Sequence, residues 1–152
     1  MRLSSMADYA VVTMAAAARH CGCGVGGGTH GAPRPALNAS QLAEETGLPA
    51  PTVQKLVSRL AAAGLLKSSR GAGGGLRLAR PAAAISLAEI IEAVEGPIAL
   101  TPCVEQGKHD CTLEQACAVR PHWGLVNETL RGALAGVPLS RLIAAPALEA
   151  LQ

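Results

Sequence analysis

The sequence predicts a mainly α-helical fold carrying one small β-hairpin, and three of its features say so. Hydrophobic residues make up 49% of the 152-residue chain but aromatics only 1%, so the core is built from Ala, Leu, Val and Ile, and alanine and leucine at that density favour helix. Apolar residues recur at helical spacing in three stretches, 53–60, 87–94 and 123–137. One glycine-rich run, 71–75, lies between two short extended segments. The length suits one compact unit with one projecting element.

A first helix, rich in Ala, Val and Met, is expected over residues 3–20, ahead of Cys21-Gly22-Cys23-Gly24 and a Gly/Pro-rich loop reaching Pro35. Asn38 followed by Gln41 makes a capping box, and Gly47 stops the short helix 39–46 that it opens. After the turn Gly47-Leu48-Pro49, Val53, Leu56, Val57 and Leu60 fall at i, i+3, i+4 and i+7, and Gly64 ends this next helix. Its other face shows Thr52, Gln54, Lys55, Ser58 and Arg59. Two short helices joined by a tight glycine turn, the second polar and basic outside, form the helix-turn-helix pattern. A plain helical hairpin needs the same stripe but not an acid-free outer face.

Residues 65–69 and 76–80 read as two strands flanking Arg70-Gly71-Ala72-Gly73-Gly74-Gly75, which makes the hairpin a wing. A phosphate-cradling nucleotide loop is disfavoured, because such a loop opens into a helix and offers Lys-Ser/Thr, whereas this one returns into a strand. Glycine lets the backbone approach a groove wall while Arg70 and Arg77 supply charge. Between residues 50 and 80 stand Lys55, Arg59, Lys67, Arg70, Arg77 and Arg80 with no Asp or Glu, so this segment carries +6 in a chain of net charge +2. That is the electrostatic footprint of a phosphate-binding surface.

Ser86 and Glu89 form a second capping box, opening a helix with Leu87, Ile90, Ile91 and Val94 on one face and Gly96-Pro97 at its end. Glu89, Glu92 and Glu95 read as its solvated side. Residues 97–120 form an irregular, cysteine-bearing loop. From Pro121 a long helix runs to about Gly136, with Trp123, Val126, Leu130, Leu134 and Val137 spaced by three or four. Such a helix needs a partner to cover it, and a second copy of the chain is the natural one. The resulting division is a winged helix-turn-helix domain over 1–96, a cysteine loop over 97–120, a C-terminal dimerisation helix with a short following helix over 121–143, and a tail over 144–152.

No run of about 18 apolar residues occurs, and Met1-Arg2-Leu3-Ser4-Ser5 lacks the layout of an export signal, so a soluble cytoplasmic protein with no membrane partner is expected. In the reducing cytosol, five cysteines point to metal or redox chemistry rather than disulfides. Cys103, Cys111 and Cys117 share one loop with Glu105, Asp110 and Glu114, and three thiolates this close can wrap one face of a soft metal site. Zinc usually brings two close Cys-x-x-Cys pairs, which are absent. Iron-sulfur clusters tolerate wider, uneven spacing. A fourth position left to a weaker ligand would keep an iron accessible, as a sensor requires. A thiol switch or a zinc site stays open as the alternative. Cys21-Gly22-Cys23, with His20 and His30 nearby, reads as incidental. Neither a Cys-x-x-Cys nor a Cys-His pair at a strand-turn-helix is present, so nothing supports an enzyme or a small-molecule substrate.

The opening Met1-Arg2-Leu3-Ser4 with Asp8-Tyr9-Ala10-Val11, the Ser58-Arg59-Leu60 helix end before Gly64-Leu65, the glycine wing and the three loop cysteines together resemble the Rrf2 family of bacterial regulators over residues 1 to about 143. The resemblance implies a dimeric winged-helix repressor or activator that carries a 2Fe-2S or 4Fe-4S cluster and responds to iron-sulfur status, iron, nitric oxide or redox state. In one branch a histidine stands at the third position after the last cysteine, where this chain has Arg120; His109 and His122 do not fit that position. In the nitric-oxide-sensing branch the fourth ligand is an aspartate near the start of the partner's first helix, which Asp8 matches. Asp8, donated across a dimer, is therefore the first choice of fourth ligand and His122 the second. The alternative for Asp8 is a first-turn carboxylate favoured by the helix dipole. Residues 6–12 and the wide first cysteine gap are most similar to the branch that regulates the SUF iron-sulfur assembly operon. Gln54 stands where the cluster-assembly regulator has a glutamate, so that regulator's operator preference does not carry over to this chain.

The expected complex places Thr52, Gln54, Lys55, Ser58 and Arg59 at the major groove of a near-palindromic double-stranded operator. Arg70, Gly73, Gly74 and Arg77 of the wing would follow phosphates and the minor groove.

Overall fold

A computed structural model describes residues 3–20, 37–69, 75–104, 111–113 and 116–144. The wing tip with Arg70, Gly73 and Gly74, the loop holding Cys21 and Cys23, and the tail from residue 145 lie outside the described residues. The helices are α1 (Ser5–His20), α2 (Ala39–Thr46), α3 (Ala50–Ala62), α4 (Leu87–Glu95), α5 (Arg120–Ala135) and α6 (Leu139–Ile143); β1 (Leu66–Ser69) and β2 (Gly75–Leu78) form an antiparallel hairpin.

Local chemistry sets most of the helix ends. Asn38 accepts from the Gln41 N–H at 2.9 Å while the Gln41 side chain accepts from the Asn38 N–H at 2.9 Å, satisfying two N–H groups that the start of α2 leaves without helical partners. The Ser86 and Glu89 box does the same for α4. Gly47 ends α2 at φ 70°, and Gly64 follows α3 at φ 72°, both in the left-handed region that a Cβ disfavours. At Gly64 the Leu65 N–H reaches back to Leu60 O at 2.9 Å and the Gly64 N–H to Ala61 O at 3.0 Å, the paired bonds of a Schellman cap.

The core follows from the composition. Alanines 7, 10, 16, 17 and 18 of α1 are buried, so α2, α3, α4, α6 and β2 all pack against this one helix. Leu42, Val53, Leu56, Leu60, Leu65, Ile85 and Ile90 close around it with Met14, the largest fully buried side chain. Leu60→Ala should therefore cost about 2–5 kcal/mol in a denaturant titration, through lost burial and the cavity left behind. A loss under 1 kcal/mol would contradict this packing.

β1 pairs with β2 in the register Leu66↔Leu78, Lys67↔Arg77, Ser68↔Leu76 and Ser69↔Gly75. Leu37 bridges the other edge of β2, accepting from the Leu76 N–H at 2.6 Å, and so ties the wing to the start of α2.

Two features differ from the sequence expectations. The short helix α6 belongs with the winged core rather than with α5: Leu139 is fully buried, its N–H donates to Ile85 O at 2.8 Å, and Leu87 donates to Val137 O at 2.8 Å. Glu89, Glu92 and Glu95 keep part of their side chains in solvent but also tie elements together, which the sequence did not announce. Glu89 pairs with Arg80 at 2.7 Å, Glu92 takes Arg131 on both oxygens at 2.8 and 3.1 Å, and Glu95 accepts from the Ser4 hydroxyl. Along α5 only Asn127 is buried among the described side chains, while Leu125 and Val126 stay 74% and 45% exposed, so within one chain most of the apolar stripe of α5 is only partly covered.

The carboxylate ties make an acid prediction. The Ser86 backbone N–H and then Arg80 hold the Glu89 carboxyl below its ordinary value, and Arg131, with the Ile98 N–H, does so for Glu92. A carboxyl depressed on folding contributes stability that is complete above its unfolded value, about 4.3, and is lost as pH falls through the lower folded value. Melting temperature should therefore be level from pH 7 to about 5 and fall below that, with Glu89→Gln and Glu92→Gln giving a shallower acid limb. Identical acid limbs in wild type and both variants would contradict the assignment.

Candidate nucleic-acid interface and cysteine loop

On α3 the stripe of Val53, Leu56 and Leu60 is buried, which turns Gln54, Lys55, Ser58 and Arg59 outward and leaves Thr52 half-buried at the helix start. The outward side chains are not equivalent. Ser58 donates its hydroxyl to Gln54 O at 3.0 Å, a bond within the helix. Arg59 donates from Nη1 to Val94 O at 2.6 Å, at the end of α4. One N–H of Arg59 is thus spent on an intramolecular anchor near the C-terminal end of the helix, whereas recognition helices read bases mainly with their N-terminal residues. Gln54 and Lys55 remain exposed in that half.

The positive segment divides similarly. Arg80 faces Glu89 and donates to Ala84 O at 3.0 Å, so it braces the core. Lys67 and Arg77 are exposed and stand directly opposite each other across the hairpin. Like charges in that position destabilise a strand pair. A polyanion laid along the wing would relieve the repulsion, so Lys67 joins Arg77 as a candidate phosphate contact. Sequence reasoning counted its charge without placing it; the alternation of Lys67 and Arg77 about the glycine turn was the available signal.

Cys103, Cys111 and Cys117 are free, half-buried thiols, and the Thr101 Oγ1 lies 3.1 Å from the Cys103 Sγ. The segment entering their loop is pinned from α5: the Asn127 amide donates to Ile98 O at 2.9 Å and accepts from the Leu100 N–H at 3.0 Å. Asn127 is 8% exposed, a buried polar group with both ends satisfied, and sequence reasoning missed it because it interrupts an apolar stripe without any motif. At the far end, the Arg120 backbone N–H donates to Cys117 O at 3.3 Å, a turn that leads into α5. Among the described residues no group of three or more His, Cys, Asp or Glu side chains is assembled to hold a metal ion. His109, Glu105, Asp110 and Glu114 lie outside them. Asp8 is exposed in the first turn of α1 and His122 in the first turn of α5. No described helix is long and apolar enough to cross a membrane.

A helix pair joined at a left-handed glycine, an outward polar and basic second helix, and an antiparallel hairpin pinned beside it define a winged helix-turn-helix DNA-binding protein. Residues 28–145 match the Rrf2 family, described as iron-dependent transcriptional regulators. The HTH-type transcriptional regulator IscR of Xenorhabdus nematophila is 34% identical over 143 residues, covering 94% of this chain and 79% of that one. The IscR of Klebsiella pneumoniae is likewise 34% identical, over 94% of this chain and 80% of its own length. Among solved structures, the global cysteine regulator CymR of B. subtilis superposes with TM-score 0.66 at 26% identity, covering 94% of this chain and 96% of that one. IscR of T. potens superposes with TM-score 0.63 at 27% identity, over 94% and 86%. The chain belongs to the Rrf2 family of DNA-binding transcriptional regulators, which are not enzymes.

Proposed function

We propose that the protein is a homodimeric regulator, a repressor in its simplest reading, whose hold on a near-palindromic operator is governed by an iron-sulfur cluster on Cys103, Cys111 and Cys117, and that iron-sulfur assembly genes of the SUF type are its targets. The observation that carries this reading is the set of three free, half-buried thiols between the winged core and α5. Their chemistry fits the group, since soft thiolates bind iron-sulfur clusters. Bound there, a cluster would supply an iron chemistry responsive to oxygen, nitric oxide or cluster supply. The chain's own part is mechanical: Asn127 holds the segment that enters the loop, so closing the thiols around one centre draws on that segment. A partner copy would cover the apolar residues Leu125 and Val126 of α5.

With three thiolates, the fourth ligand falls to Asp8 of the second subunit, with His122 as runner-up. Asp8→Ala should leave iron loading near wild type under anaerobic conditions but speed its loss in air by about tenfold, a typical cost of weakening a metal's surroundings. Faster loss in His122→Ala with none in Asp8→Ala would reverse the ranking. The reading as a whole is tested by the anaerobic absorption spectrum with iron and sulfide analysis: a brown protein with stoichiometric sulfide is expected. A colourless protein carrying zinc or only thiols would overturn the cluster and leave the DNA-binding regulator.

A further inference from the structure

The last turn of α4 is where several separate parts of the chain meet. Glu92 and Glu95 place two carboxylates at the end of a helix whose dipole is already negative there, and α4 has no basic residue in that turn. Compensation comes from elsewhere. From α3, Arg59 Nη1 donates to Val94 O at 2.6 Å, satisfying a carbonyl at a helix end where intrahelical partners run out. From α5, Arg131 donates to both Glu92 oxygens at 2.8 and 3.1 Å. From the segment entering the cysteine loop, the Ile98 N–H points to Glu92 Oε1 at 3.5 Å, and Asn127 clamps Ile98 and Leu100 just beyond. Ser4, at the start of α1, donates to Glu95. The recognition helix and the segment entering the cysteine loop are thus both bonded to this one turn.

We propose that the last turn of α4 is the relay between the cysteine loop and the recognition helix, with Arg59 as a positioning residue and Glu92 as its counterpart on the loop side. Any rearrangement that draws residues 98–104 toward Cys111 and Cys117 pulls on Glu92 directly and through Asn127 and Arg131. The same turn holds the C-terminal end of α3 through Val94. Tilting α3 about that anchor moves its N-terminal half, where Gln54 and Lys55 face outward. The link to metal occupancy rests on the cluster reading above, but the mechanical link does not.

Coupling between two sites is reciprocal, which gives the test. Hydrogen exchange is measured on the full-length, metal-free chain for wild type, Glu92→Gln and Arg59→Gln, with Arg131→Gln removing the same ion pair from the other side in case Glu92→Gln does not fold. Each substitution should speed exchange by about fivefold or more in both residues 98–104 and residues 60–65. Arg59→Lys, which keeps the charge and one donor, should restore part of the protection. Effects confined to the substituted side would overturn the relay. In parallel, duplex affinity is titrated for the iron-sulfide-reconstituted and metal-free forms. Glu92→Gln should change metal-free affinity by less than about twofold while bringing the ratio of the two forms toward one. A ratio equal to that of wild type would also overturn the proposal. Failure of wild type to take up iron would contradict the cluster reading instead, and the exchange comparison would then decide the relay.

Discussion

Single replacement of Cys103, Cys111 or Cys117 by Ala is expected to abolish stoichiometric iron and sulfide, whereas Cys21→Ala and Cys23→Ala retain both. The three loop cysteines are free, half-buried thiols in one loop, whose entering segment Asn127 pins at Ile98 and Leu100. A cluster already short of one thiolate cannot lose a second and remain bound, so the effect should be near complete rather than graded. The measurement is iron and acid-labile sulfide per chain after anaerobic purification. Full iron content in all three loop variants would sink the assignment, and loss in the Cys21 and Cys23 variants would move the site.

The second large effect concerns DNA. Lys67→Ala and Arg77→Ala should each weaken operator and scrambled duplex alike and lower the slope of log affinity against log salt by about 1, because each removes one phosphate contact with its released counterion. Gln54→Ala and Lys55→Ala should cost on the order of 1 to 3 kcal/mol on the operator and little on the scrambled duplex, as contacts to base edges do. Arg59→Ala should separate from both groups, since its guanidinium already bonds Val94 O at 2.6 Å. Its loss should show as a stability change as well as a binding change. Equal losses for the Gln54, Lys55, Lys67 and Arg77 variants on both duplexes would show that α3 does not read bases.

What was legible in the sequence is what local chemistry specifies. The Asn38 and Gln41 box, the Ser86 and Glu89 box, and the stops at Gly47, Gly64 and Gly96 each act within a few residues, and α2 and α4 begin and end where those signals stand. The Val53, Leu56 and Leu60 stripe told which face of α3 is outward. Pairings across long separations left no such trace. Arg59 with Val94, Glu92 with Arg131 and Asn127 with Ile98 join residues 35, 39 and 29 positions apart, and in each case the side chain looked in sequence like part of a polar surface or a gap in an apolar stripe. Leu139 was likewise grouped with α5, because nothing near it announces that it returns to the core beside Ile85. The cysteines were legible as a donor set, since thiol chemistry depends on residue type. Their assembly was not, because closing a loop around a metal depends on the metal and on contacts distant in sequence as much as on the spacing.

The central claim, that loop chemistry governs DNA binding, is tested most directly by fluorescence anisotropy of a labelled palindromic duplex at one salt concentration, titrated under nitrogen with the cluster-loaded protein and with the same preparation after cluster removal. The account predicts dissociation constants that differ by about fivefold or more, the lower end of typical coupling between sites, with the difference lost in Cys103→Ala. Equal dissociation constants for the loaded and stripped protein would contradict it.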